Sequence, residues 1–355
     1  MSSVIPKTMS RWELSRFGLA NLAAVKRPVP QPGPRELLVK VSAVSLNYRD
    51  KLIAEGVMLP ELTLPHVPAS DAVGEVVAVG GEVRRFAPGA RVLSHFITDW
   101  IEGPVPPLGR VPGDSTADGA VYGGTLGGPL PGVLAEYILL HEEGAVAAPA
   151  SLSDEEASTL AIAALTAWFA YFETGSLKPG QTVVVQGTGG VALFGLQIAR
   201  AAGARVIITS RDPAKLPRAK ALGAWQGIDT TRQPDWDKAV LEATAGRGAD
   251  HILEIIGGDN MIRSVRAVTP GGRISLIGLL ASLQITADIL PLLVKRAVVQ
   301  GISVAPRKAF EAMNAGLELM AIKPVVDAVY SFDQVPAAFA HLDRGPFGKI
   351  VVKVD

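Results

Sequence analysis

The chain contains no cysteine, so no disulfide can staple it and no thiolate can hold a metal or act as a nucleophile. Net charge is missing too: 34 Lys and Arg balance 34 Asp and Glu, which removes the electrostatic footprint of a nucleic-acid or anionic-membrane binder. Long apolar runs are absent although 48% of the residues are hydrophobic, because 37 Gly and 26 Pro interrupt them well short of membrane length. The opening MSSVIPKTMSRWELS has no basic segment followed by an apolar core, and the expectation is a cytoplasmic chain without a secretory signal. What is present is size. At 355 residues the chain exceeds what one core usually spans, and two domains are expected.

The stretch from Gln181 to Arg211, QTVVVQGTGGVALFGLQIARAAGARVIITSR, reads as strand, glycine turn, helix and second strand. Thr182 to Gln186 is a β-branched run suited to a parallel sheet covered on both faces. Gly187, Gly189 and Ala192 fill the three small-residue positions of G-x-G-x-x-[GA]: one for the tight turn, one for close approach of backbone to a pyrophosphate, one for helix–strand packing. Val191, Leu193, Leu196, Ile198 and Ala199 then give an apolar helix that Gly203 closes, with its first amides, after Thr188 and Gly190, aimed at a phosphate pair. The pattern predicts a dinucleotide site, against the alternative of a plain structural turn.

Which dinucleotide is decided about 20 residues past the glycines, where an acidic residue would bind a ribose 2′-hydroxyl. Ser210 stands there, followed by Arg211 and, further on, Lys215. A hydroxyl, a guanidinium and an ammonium suit a 2′-phosphate that a carboxylate would repel, so the reading is NADP(H). The rival reading makes Arg211 and Lys215 ordinary solvated charges.

Taken in order, Arg11 to Val29 predicts a short strand pair, and LLVKVSAVSLN after the turn QPGPRE an alternating strand. Asn47 to Ala54 is helical, ending near Gly56. Ser70 to Val79 and Ala90 to Ser94 read as strands of a small β unit. Residues 97 to 132 are rich in glycine and proline and predict a long irregular lobe. Val133 to Leu140 returns as a strand, and Ser153 with Glu156 opens a helix as a capping box. From Gln181 the strands and helices alternate as in a doubly wound sheet, down to AVVQGIS. A helix over Ala305 to Ala321 leaves it, and the closing strand is expected to rejoin the β unit. The predicted boundaries are 1–150 and 305–355 for the β unit and 151–304 for the nucleotide unit.

These features, with AVSLNYRD, ASDAVGEVV, LTAW, VVVQGTGGV, the R-A-K-A-L-G-A run ending at Ala224 and FGKIVV in this order, resemble the medium-chain dehydrogenase/reductase superfamily over essentially the full chain. They look most like its zinc-independent members, the quinone oxidoreductases and zinc-free alcohol dehydrogenase-like proteins. The resemblance implies an α/β chain made of a GroES-like β-barrel substrate domain and a Rossmann doubly wound parallel sheet, with the active site in the cleft between them. In zinc-dependent relatives the catalytic metal is held at positions that here are Asn47, Ser70 and Ile162. An amide, a hydroxyl and an alkyl group do not make a zinc site, so no metal is expected. Developing negative charge must then be met by hydrogen-bond donors.

The resemblance places Asn47 and Thr166 near the nicotinamide, Gly257, Gly278 and Leu279 along its end of the sheet, and Lys349 beside the cofactor. Asn47, Tyr48 and His95 are the candidate catalytic residues, with Arg49, Ser70 and Trp100 as further donors. Their duller readings are pocket wall for Tyr48 and Trp100, a loop pin for Arg49, a structural hydrogen bond for Asp50 and non-catalytic packing for His66 and His95. Two tyrosines that mark particular relatives are absent: Val57 and Met58 stand where enoyl thioester reductases carry theirs, and Leu52 where quinone oxidoreductases do. The function expected is metal-free hydride transfer between NADP(H) and a small apolar carbonyl, alcohol, quinone or activated alkene. The alternative is a non-catalytic NADP(H)-binding redox sensor or crystallin-like protein. The apolar AVVQGIS strand predicts a homodimer paired through the sheet edge.

Overall fold

The computed structural model describes residues 5–106 and 124–354; the middle of the glycine/proline-rich stretch therefore lies outside the described residues. The chain divides into two compact units, one of residues 1–162, 306–318 and 323–355, the other of residues 163–305 and 319–322.

The first unit begins with β1 (Thr8–Leu14) and β2 (Leu22–Pro28), an antiparallel pair, as the opening residues predict. Its main sheet is built on β3 (Glu36–Leu46), followed by β4 (Asp71–Val79), β5 (Arg91–Ser94), β6 (Tyr137–His141) and β7 (Ala145–Ala147). β3 pairs with β4 along one edge and carries β6 on the first half of its other edge. Its buried Leu37, Leu38, Val39, Val41, Val44 and Leu46 pack with Val76, Val92, Ile138 and Leu140 into one core. β6 starts four residues later than the Val133 expected from sequence. Gly132 to Ala135 are held elsewhere: Gly132 N donates to Val67 O at 2.7 Å, Val133 N to Ala69 O at 3.0 Å, and Leu134 O accepts from Trp12 N at 2.9 Å. The capping box at Ser153 is present, with Ser153 N on Glu156 Oε2 at 3.0 Å and Glu156 N on Ser153 Oγ at 3.2 Å.

In the second unit β8 (Thr182–Gln186), β9 (Arg205–Ser210), β10 (Gln226–Asp229), β11 (Ala249–Glu254), β12 (Val268–Leu276) and β13 (Val298–Gly301) form a sheet of order β10-β9-β8-β11-β12-β13. Every pairing in it is parallel, and the chain reverses its direction of travel across the sheet between β8 and β11. β8 is buried at all five positions, as a β-branched strand covered on both faces must be. A short helix, Ile289–Lys295, precedes β13 and ends where Arg296 takes a left-handed φ of 51°.

The chain then returns to the first unit. The helix Arg307–Leu319 is followed by β14 (Val326–Ser331), the helix Val335–Asp343 and β15 (Lys349–Lys353). β15 lies antiparallel on the second half of β3's open edge, Ile350 against Leu46, and parallel to β14. The expectation that the last strand rejoins the β unit holds; β14 and the helix at Val335 are not foreseen by periodicity. No helix among the described residues is long and apolar enough to cross a membrane.

Gly132 is a tight backbone crossing ahead of β6: an added Cβ would sit 2.2–2.4 Å from the carbonyl oxygens of Pro68, Ala69 and Val67. Backbone cannot step aside as a side chain can, so Gly132→Ala should destabilise the first unit by about 2 kcal/mol or more. A urea midpoint within error of wild type would contradict this packing.

Candidate functional site

The glycine turn lies at the carboxyl end of the central strand β8. Gly187 follows Gln186 at once with φ 78°, a conformation that needs glycine, and its N–H is tied to Thr209 O at 2.9 Å. Gly189 caps the helix Gly190–Ala201. A Cβ added at Gly187 or Gly189 would meet nothing within 4 Å, while Ala192, the third small residue, is buried. Open space therefore lies over the first turn of a twelve-residue helix, where backbone N–H groups without intrahelical partners and the positive end of the helix dipole attract anions. Thr188 is buried beside the turn; Gly190 and Val191 open the helix and are partly exposed.

At the end of β9 the Ser210 hydroxyl donates to Asp212 O at 2.9 Å and accepts from Asp212 N at 3.0 Å. This turn puts Arg211 in solvent. Asp212 uses Oδ1 to accept from Ala214 N at 3.0 Å, and Lys215 lies 3.9 Å from its Oδ2. Across β11 and β12, Gly257 has φ 73° and Gly258 φ 59°. Gly278 is pressed against the Ile255 carbonyl, where a Cβ would come within 1.7 Å, and Leu279 follows it partly exposed. Thr166 is buried in the same unit.

In the first unit Asn47 caps the helix Tyr48–Ala54, and its N–H donates to Asp50 Oδ2 at 2.8 Å. Lys349, at the start of β15, is buried and donates from Nζ to Asn47 Oδ1 at 2.6 Å and to Leu46 O at 2.8 Å. Asp71 accepts from Ser70 Oγ at 2.8 Å and from Ile162 N at 3.3 Å. The three positions Asn47, Ser70 and Ile162 are thus brought around Asp71 and Lys349. Asp71 carried no role in the sequence reading, although an aspartate opening an apolar strand is the signal that could have found it.

Burial raises Asp71 and holds Lys349 below the usual lysine range, with the two charges opposing these shifts in each other. Asp50 is pushed up to about 6, chiefly by burial, with the Arg49 guanidinium acting against it from 3.9 Å. The Tyr48 ring is partly exposed, with Lys51 Nζ 5.8 Å from its centroid. Arg49 donates to the Leu126 and Gly128 carbonyls, each at 3.2 Å, which is the loop pin foreseen for it. His95 is fully buried, its ring 6.2 Å from that of Phe310. Trp100 donates from Nε1 to Gly103 O at 3.0 Å. His66 is buried, and desolvation lowers its pKa.

Residues 33–150 match the family model for the alcohol dehydrogenase GroES-like domain, and residues 190–320 match that for zinc-binding dehydrogenase. A zinc-type alcohol dehydrogenase-like protein of Schizosaccharomyces pombe is 38% identical over 346 residues, 95% of this chain and 96% of its own. A quinone oxidoreductase of Pseudomonas aeruginosa is 31% identical over 70% of this chain and 66% of its own. A crystal structure from Sinorhizobium meliloti 1021, named provisionally as an alcohol dehydrogenase, superposes with a TM-score of 0.91 at 50% identity, covering 99% of this chain and all of that one.

The Asp50 carboxyl gives a pH signature. Its folded-state value of about 6 lies above the 3.8 of a free aspartate, so the folded chain keeps a proton that the unfolded chain releases. Stability from this group is full below about pH 4 and is lost as pH rises through about 6. In Asp50→Asn the fall in urea midpoint across that window should be smaller than in wild type; equal slopes would mean the carboxyl is already ionised in the folded chain.

Proposed function

The chain belongs to the medium-chain dehydrogenase/reductase superfamily of oxidoreductases, and on that premise we propose that it is a metal-free, NADP(H)-dependent enzyme. It moves hydride to or from a small, fairly apolar carbonyl, alcohol, quinone or activated alkene. The observation that carries the reading is the open cradle at Gly187 and Gly189, at the carboxyl end of a central parallel strand and over a helix N-terminus.

The dinucleotide supplies the hydride; this chain's residues bind, orient and polarise. The amides after Gly189 hold the pyrophosphate. Ser210, Arg211 and Lys215 hold the 2′-phosphate: Arg211 is solvent-exposed with no ion pair among the described residues, and the Asp212 carboxylate is occupied with Ala214 N. Asp212 is nevertheless the acid in that turn, and a bare ribose, hence NAD(H), is the reading it would favour. Thr166, Gly257, Gly278, Leu279, Asn47 and Lys349 are assigned to the nicotinamide end.

Asn47, Ser70 and Ile162 do not fit a zinc ion. They present an amide, a hydroxyl and an alkyl chain, and the Asn47 oxygen already accepts from an ammonium group, whose charge would repel a divalent cation. Charge developing on the substrate oxygen is then met by neutral or cationic donors, for which Asn47 and Tyr48 are the partly exposed candidates and His95 the buried one. Positioning and exclusion of water supply the remaining rate enhancement.

The exposed edge of β13 continues into an apolar surface: Leu293 and Val294 are 67% and 73% exposed, with Ile289 and Leu290 beside them. An unpaired strand edge next to such a patch is an association site, and we assign it to a second copy of this chain, pairing β13 with β13.

Three measurements test these assignments. Arg211→Asp should lower NADPH affinity by roughly tenfold or more while leaving NADH affinity unchanged or improved, since a charge-assisted contact is replaced by repulsion; fluorescence titration with both nucleotides reads this, and an unaltered NADPH-to-NADH ratio would remove the 2′-phosphate assignment. Turnover should survive in preparations free of zinc by elemental analysis when quinones, enals and ketones are scanned with the preferred nucleotide. In sedimentation the wild type should run as a dimer and Leu293→Glu as a monomer; a wild-type monomer at micromolar concentration would dismiss the edge pairing.

A further inference from the structure

β11 ends in a carboxylate that no cation neutralises among the described residues. Glu254 is 0% exposed and sits at the last position of a strand buried along its whole length. Its Oε1 accepts from Ile256 N at 3.1 Å, Gly257 N at 2.9 Å and Asn260 Nδ2 at 3.0 Å. Its Oε2 accepts from Gln186 Nε2 at 2.9 Å, from Asn260 Nδ2 at 3.0 Å and from the Ser264 hydroxyl.

The direction of every bond is imposed from the ends. Trp236 Nε1–H can only donate, and it donates to Asn260 Oδ1 at 3.0 Å, so the Asn260 amide must turn its NH2 toward Glu254. Ile255 N–H can only donate, and it donates to Gln186 Oε1 at 3.2 Å, so Gln186 must turn its NH2 the same way. Each neighbour therefore presents a proton, and only an acceptor-only group completes the network.

Its location gives it a function. β8 and β11 are the neighbours across which strand order reverses, the place where a dinucleotide lies across a doubly wound sheet. Gln186 directly precedes Gly187 of the phosphate turn. On the other side, Glu254 and Gln186 bind three successive peptide N–H groups, Ile255, Ile256 and Gly257. The loop after β12 is laced to the same segment: Ile277 N and Gly278 N donate to Glu254 O at 2.9 and 3.1 Å, and Ala281 N to Ile256 O at 2.8 Å.

We infer that Glu254 is a positioning residue for the nicotinamide half of the dinucleotide. It sets the backbone of residues 255–258 and 278–279 and, through Gln186, locks that platform to the pyrophosphate turn. The inference rests on the dinucleotide reading above and adds to it a residue that touches neither cofactor nor substrate.

The test uses the full chain and two probes: the dinucleotide the wild type prefers, and its adenosine half alone (2′,5′-ADP for NADPH, ADP for NADH). Glu254→Gln turns an amide NH2 against donors, so dinucleotide affinity should fall by roughly tenfold or more while the adenosine half binds as in wild type. Exchanging the pair, Glu254→Gln with Gln186→Glu, again sets a donor against an acceptor among residues 186, 254 and Ser264, because Ser264 Oγ lies within 2.9 Å of the residue 186 amide nitrogen, while the Asn260 amide keeps the Oε1 atoms of residues 254 and 186 as its acceptors. The double variant should recover most of the lost affinity. Equal loss for both probes, no loss, or no recovery in the exchange would each overturn the positioning role. A wild type that binds the adenosine half and the dinucleotide normally while Glu254→Gln fails these criteria leaves the dinucleotide reading standing; a wild type that binds neither probe removes both.

Discussion

One geometric constraint organises the second unit: a strand buried on both faces has to hand the chain to a helix within three residues without covering its own end. β8 is buried at both ends, Thr182 and Gln186 included, and the turn is made by backbone. Gly187 at φ 78° makes it, and the helix from Gly190 starts with its first amides uncovered. The space above them is empty of protein because Gly187 and Gly189 have no side chains, and the dipole and amides supply what an anion needs. The neighbouring strands serve the same end. β9 brings Ser210 and Arg211 to one side of the turn, and β11 brings Glu254 to the other.

The first unit solves a different problem, that of keeping charges inside a β structure. Asp50, Asp71 and Lys349 are all buried, and each is held by hydrogen bonds to backbone or to short polar side chains. Burial of a charge is costly, and it is chiefly this desolvation that lifts Asp50 to about 6, with the Arg49 guanidinium acting against it. The cluster can exist only because β15, from the end of the chain, pairs with β3 and delivers Lys349 to the cap of the helix at Tyr48. The ammonium group of Lys349 thereby lies against the Asn47 amide oxygen, and the metal-free chemistry proposed for this chain rests on that contact.

The parts of the fold that could be read from residue order are those with local causes. Strand β8, its glycine turn and the following helix follow from a β-branched run, small residues at fixed spacing and a 3.6-residue apolar period. The Ser153 capping box is likewise contained in four residues. The start of β6 is not legible in the sequence because Val133 and Leu134 are apolar enough for a strand but hydrogen-bond to Ala69 and Trp12, distant partners that periodicity does not reveal. β14 and the helix Val335–Asp343 leave little trace in the sequence because partly exposed strands and proline-initiated helices carry weak patterns. The helix Ile289–Lys295, apolar and exposed, has no polar face to mark its period.

Sequence alone determined the doubly wound unit, the glycine turn, the superfamily resemblance and the poor match of Asn47, Ser70 and Ile162 to zinc, since each depends on residue type at short spacing. Tertiary structure decided which buried groups meet. Lys349 reaches Asn47 across some 300 residues of chain, and Glu254 collects donors from Gln186, Asn260 and Ser264. Such contacts join side chains from separate strands and helices, and their donor and acceptor directions are set only once every neighbour is in place.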